Sequence, residues 1–149
     1  MRNQRGFTLL EVLIAVSILT VGLLAVASLQ GSAITTNASA VDVNDAATLA
    51  ADRLEKLAAL PYDDAALTDA DGDGATRLGD TGFDNDPDTG NDADHGITQQ
   101  TARGKTYNVY WNIAEDDALA GTKTIQVIIV WQDHGNAKQL SLRYLKPHL

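Results

Sequence analysis

The side chains best equipped for chemistry sit in residues 62–95, where eleven aspartates stand against one base, Arg77. Their spacing is ordered. Asp69, Asp71, Asp73 and Asp80 occupy positions 1, 3, 5 and 12 of a twelve-residue loop, and Gly74 occupies position 6. Carboxylates alternating in this way turn toward one centre, the glycine permits the sharp bend, and the Ala75 carbonyl supplies position 7. Hard oxygen donors so arranged suit Ca2+. Asp80 has a shorter arm than the glutamate that usually closes such a loop, and no helix is expected on either side of it. Asp84, Asp86 and Asp88 repeat the start about fifteen residues on, with Asp92 at position 9. The segment has too little aliphatic content for a core of its own, so bound Ca2+ would contribute to ordering it. Without Ca2+ the same composition describes a solvated acidic loop.

One further carboxylate stands where charge is costly. Glu11 lies in an otherwise apolar run from Phe7 to Leu29, preceded by a short basic leader with Arg2 and Arg5. The run is long enough to cross a bilayer as one helix. A charge within such a helix costs about 2.5–3.5 kcal/mol on insertion scales, which marks Glu11 as a functional residue. Catalysis has no comparable support. His95, His134 and His148 are scattered, no serine or threonine sits in a nucleophile motif, and crowded acids without apolar walls make better ligands than tuned acids or bases. No enzyme is expected. With no cysteine, disulfides and thiolate metal sites are excluded. The net charge of -9 falls to -11 without Arg2 and Arg5, a surface that repels phosphate backbones, so no nucleic-acid partner is expected.

The elements that must position these residues follow from periodicity. After a loosening at Gly31–Ser32 and residues 35–37, apolar Val43, Ala46, Ala47, Ala50, Leu54 and Leu57 recur at helical spacing. Asp42, Asp45, Asp52, Arg53, Glu55 and Lys56 are expected largely on the opposite face. Pro61 ends the helix. Unbroken, residues 7–60 would span about 80 Å at 1.5 Å per residue. Strands are predicted over 105–114 and 123–132, with Tyr107, Val109 and Trp111, and Ile125, Val127, Ile129 and Trp131, facing a core. Apolar Ile128 and Val130 on the other side make the second strand central. A third strand covers 138–146, and a weaker one 97–102. The fold class is α+β: a long N-terminal helix packed on an antiparallel sheet of three or four strands, with the Asp-rich loop between them. The divisions are a leader 1–6, a membrane half-helix 7–30 (the fibre-core half on the resemblance described next), an amphipathic half-helix 31–60, the acidic loop 61–96 and a sheet 97–149.

Arg5-Gly6-Phe7-Thr8-Leu9-Leu10-Glu11, continuing as Val12-Leu13-Ile14-Ala15, resembles the start of type IV prepilins and of type II secretion pseudopilins. A secretory signal peptide would instead place its small-residue cleavage site after the apolar core. The resemblance implies that prepilin peptidase cuts between Gly6 and Phe7 and that the new N-terminus is methylated. It also implies that Glu11 registers the subunit against a neighbour's N-terminal amine. Residues 16–30 are most similar to minor pilins described as type IV pilus modification proteins, with minor pseudopilins next. The implied location is a single-pass inner-membrane precursor, its N-terminus cytoplasmic and its domain periplasmic, later built into a pilus or periplasmic pseudopilus beside other pilin or pseudopilin subunits. The acidic runs also resemble Asp-rich calcium modules of extracellular proteins, so a calcium-dependent adhesin or sensor delivered on a pilin helix is a further alternative.

Overall fold

The computed structural model describes residues 7–70, 72–82 and 92–148; Gly6, Asp71, Asp84, Asp86 and Asp88 lie outside them. A single helix, α1 (Leu9–Ala59), is followed by 3-10 turns at Ala65–Leu67 and Gly74–Arg77. Four strands complete the chain: β1 (His95–Ala102), β2 (Lys105–Glu115), β3 (Thr122–Asp133) and β4 (Asn136–Pro147).

The chain divides into two compact units, Met1–Ala40 and Val41–Leu149. In the first, α1 is apolar around its circumference, and Leu9, Leu13, Leu19, Leu23 and Leu29 are all exposed. A helix of this kind requires lipid or other apolar helices around it, and this one is long and apolar enough to cross a membrane. The expected loosening after Gly31 is absent. The Thr35 and Thr36 hydroxyls donate to the carbonyls of Gly31 and Ser32 at 3.0 Å, so weak helix formers satisfy their polar atoms on the helix itself.

The second unit is the α+β part, a pilin-like packing of the helix on a four-stranded antiparallel sheet in the order β1-β2-β3-β4. Asp42, Ala46, Ala50 and Leu57 are the buried face of α1 here, with Leu49, Leu54 and Leu60 at its margin. Register builds the opposing face, since Tyr107 pairs with Trp131, Val109 with Ile129, Trp111 with Val127 and Ile113 with Ile125. All eight are buried in one cluster with the helix. Two-residue turns join β1 to β2 and β3 to β4, while residues 116–121 join β2 to β3. Arg103-Gly104 and His134-Gly135 both take positive φ (49° and 81°, 51° and 81°), the geometry that matches strand twist.

The helix face differs from the periodicity reading at its start. Val43 is exposed and Asp42 is buried in its stead, where it receives the Lys105 ammonium from β2. Lys105 also lies 3.9 Å from Asp133. Arg53, expected in solvent, lays its guanidinium 3.8 Å from the Trp111 ring centre. Long cationic side chains bury their stems and aromatic contacts while keeping their charge, which a simple apolar pattern does not register. The sheet begins at His95, two residues before the expected start.

Candidate functional site

Two regions carry the residues singled out above. At the helix start, Phe7 is exposed and Thr8 precedes the first helical residue, Leu9. Glu11 N–H donates to the Thr8 hydroxyl at 3.3 Å and to the Thr8 carbonyl at 3.1 Å. Thr8 is therefore the N-cap and Glu11 the third helical residue, the spacing of a capping box. A carboxylate in the first turn also complements the positive end of the helix dipole. Glu11 thus sits where its charge costs the helix least, exposed and beside Phe7 and Val12. The sequence reading passed over Thr8, although threonine three residues before glutamate at the head of an apolar run is itself a helix-start signal.

In the acidic segment the described residues include Asp69, Asp73, Gly74, Ala75, Asp80 and Asp92 of the expected ligand loops. Asp69 folds back, one oxygen accepting from Gly72 N–H at 2.9 Å and the other from Gly74 N–H at 3.0 Å. Gly72 and Gly74 have φ of 77° and 61°, values that side-chain-bearing residues rarely adopt. Gly74 thus makes the bend that position 6 calls for. Asp73 precedes the Gly74–Arg77 turn, its carbonyl accepting from the Thr76 hydroxyl at 2.7 Å, and Ala75 lies exposed within that turn. One carboxylate oxygen of Asp73 and one of Asp80 are shielded from solvent. Asp92 pairs with Gly82 in a single parallel bridge, so the two ends of residues 83–91 are held together. Among the described residues, no three acidic or histidine side chains gather closely enough to hold a metal. Asp71, which stands between Asp69 and Asp73 in the expected ligand set, is not among them.

Two residues that the sequence reading left unassigned anchor this segment to the sheet. The buried Asp94 carboxylate accepts from Ala70 N–H at 2.5 Å and from Ile113 N–H at 2.6 Å. Its own N–H donates to the Asn112 side-chain oxygen at 2.9 Å. The Asn112 amide nitrogen donates to the carbonyls of Leu78 (2.9 Å) and Asp80 (3.0 Å). Asn112 is 3 % exposed, whereas strict alternation puts it on a solvated face. On the other side of β2, the Trp111 indole donates to Ala66 at 2.9 Å and the Lys123 ammonium to Leu67 at 2.8 Å. The chain after α1 is thus tied at both ends to β2 and β3.

Residues 1–27 match a family model described as the prokaryotic N-terminal methylation motif. The match contains Gly6, Phe7, Thr8 and Glu11 and covers the membrane-competent start of the chain. No curated protein and no solved structure matches the chain.

Proposed function

We propose that the chain is a minor pilin of a type IV pilus, cut between Gly6 and Phe7, methylated at Phe7 and built into the fibre through α1. The observation that carries this reading is the capped start of an all-round apolar helix with Glu11 in its first turn. In a fibre the exposed apolar residues pack against neighbouring helices, where close van der Waals packing drives association. Glu11 then needs a cationic partner, because an unpaired carboxylate in that setting is costly, and a neighbour's N-terminal amine meets the need. The test is mass spectrometry of sheared surface fibres. The native chain should appear there starting at methylated Phe7, and Gly6→Val should leave a full-length precursor in the membrane. Recovery of Gly6→Val in fibres at full length would refute the reading. Retention of the processed chain in a periplasmic fibre instead would favour a minor pseudopilin.

A second reading rests on the Asp69–Gly74 turn. We infer that the acidic segment takes up Ca2+, with Asp69, Asp71, Asp73, the Ala75 carbonyl and Asp80 as first ligands and Asp84, Asp86, Asp88 and Asp92 as a second set. The fit is supported by the left-handed Gly74, which gives the loop its bend. Oxygen-only donors on a flexible loop are the donor set that Ca2+ favours. When bound, Ca2+ neutralises carboxylates that otherwise repel, so the loop gains order while the helix and sheet keep their core. Added Ca2+ should raise the melting temperature of residues 32–149, and the gain should vanish in Asp71→Ala/Asp73→Ala. A melting temperature insensitive to millimolar Ca2+ would leave a solvated loop.

A further inference from the structure

The face of the sheet turned away from α1 is covered as well. Along β2, Tyr107, Val109, Trp111 and Ile113 belong to the cluster beneath the helix, so alternation points Asn112 and Ala114 the other way. Both are nevertheless buried. The Gly74–Arg77 turn packs on β2, and Leu78, which follows it, is buried outside the cluster beneath α1. Residues 72–80 thus lie as a strap on the outer face of β2, reached there by the Asn112 side chain.

What holds this strap is mostly polar. The Asn112 amide nitrogen donates to the carbonyls of Leu78 and Asp80 and lies 3.5 Å from that of Arg77. Asp94 accepts from Ala70 N–H, just ahead of the strap, and from Ile113 N–H in β2. Its own N–H meets the Asn112 side-chain oxygen, so one hydrogen-bonded pair carries both ends of the strap. Of residues 72–80, Leu78 alone is buried. The core on the other face of β2 is held by apolar packing instead.

We propose that residues 72–80 lift from β2 as a unit while helix and sheet stay folded, and that Asp94 and Asn112 are the latch. A segment with few buried apolar contacts opens at lower free energy than the core it lies on. Releasing it breaks a few hydrogen bonds, each of small net worth because water replaces the lost partner, and uncovers one leucine. Unfolding the sheet would uncover the whole apolar cluster. The pair acts together because Asn112 is oriented by Asp94 N–H and Asp94 is fixed by Ala70 and Ile113. Opening bares Asn112 and the outer face of β2 and frees Ile113 N–H, a donor beyond the last β1 pair, His95 with Trp111. The outer face of the sheet is therefore covered in one state and accessible in the other. This device goes beyond both readings above and depends on neither.

Amide hydrogen exchange of the full-length chain in lipid nanodiscs, read residue by residue, tests the latch. EDTA is present throughout, so the outcome does not involve Ca2+. The amides of Ala70, Asp80, Asp94 and Ile113 should exchange together, about 100-fold or more faster than those of Ile125, Val127 and Ile129 after correction for intrinsic rates. Their opening should be nearly insensitive to low urea, because little surface is exposed. Asn112→Ala, which removes two hydrogen bonds, should speed the four by about ten- to a hundredfold while the β3 amides remain protected. Leu78→Ala, which leaves the latch side chains in place, should speed the same four together. Exchange of the four at the β3 rate and with the β3 urea dependence in the wild-type chain would overturn the proposal, since strap and core would then be one cooperative unit. Four unrelated rates, or no response to Asn112→Ala, would overturn it equally.

Discussion

Asp94 shows how much one carboxylate contributes when its oxygens are directed at backbone N–H groups rather than at solvent. It accepts from Ala70 and Ile113 and so ties the acidic segment to the edge of β2 just beyond the last β1 pairing, His95 with Trp111. Removing a charged acceptor leaves two backbone donors without their partner. Asp94→Ala is expected to cost about 2–3 kcal/mol in urea unfolding of the soluble unit, at the scale of hydrogen bonds to charged groups. Asp63→Ala, at an exposed position, should change stability by less than about 0.5 kcal/mol. Equal effects would mean that Asp94 is only one more solvated acid. Lys105 and Tyr107 act at the other end of β2. The hydrogen bond to Asp42 raises the Lys105 pKa above its ordinary 10.5, and burial raises that of Tyr107 above 10.0. Both groups bind their proton more tightly folded than unfolded. Their contribution is therefore complete below about pH 10 and is lost as pH climbs through the folded values. The melting temperature should hold to about pH 10 and fall above it, and Tyr107→Phe should make the fall shallower. A decline of the same steepness in Tyr107→Phe would assign the alkaline limb to other groups.

At the scale of elements, α1 changes solvent along its length without changing secondary structure. Up to Ala40 its side chains are open, and from Asp42 onward one face is closed by the sheet. Alanine at 46 and 50 keeps that face narrow, while Leu57 fills the end of the core. Leu57→Ala should destabilise the soluble unit by about 2–5 kcal/mol, the range for emptying a packed leucine site. Val43→Ala should be nearly neutral, because Val43 is 44 % exposed. A large loss at Val43 would restore the face that periodicity alone suggests. β2 and β3 form the other side of the same core, paired without interruption from Tyr107 with Trp131 to Glu115 with Lys123. A one-residue slip would turn Trp111 and Ile129 outward together.

For the whole molecule, the two compact units meet different demands. The Met1–Ala40 unit has an apolar surface that only lipid or other subunits can cover, and the Val41–Leu149 unit encloses a core of its own. On the proposed function, the first unit would hold the chain in a membrane before assembly and the second would be presented afterwards. Cleavage after Gly6 is the outcome to be tested at this scale, read in fibres.

Much of this was legible in linear order. The apolar run, Gly6-Phe7 and Glu11 announce the membrane-competent helix because burial in lipid demands an uninterrupted hydrophobic span. Pro61 ends the helix because proline lacks an N–H, and alternation from Tyr107 to Trp131 assigns the strands and their core face. The aspartate spacing suggested a bend at Gly74, which the chain makes. What the linear order did not reveal depends on neighbours distant in sequence. Asp42 is buried because Lys105, 63 residues on, reaches it. Asn112 leaves solvent because the acidic segment returns over β2 with its carbonyls pointing inward. Arg53 meets Trp111 only once helix and sheet are packed. Hydrophobic periodicity specifies which face of an element is apolar, but polar burial is decided by where a partner for each hydrogen bond or charge arrives, and only the tertiary structure brings that partner into reach.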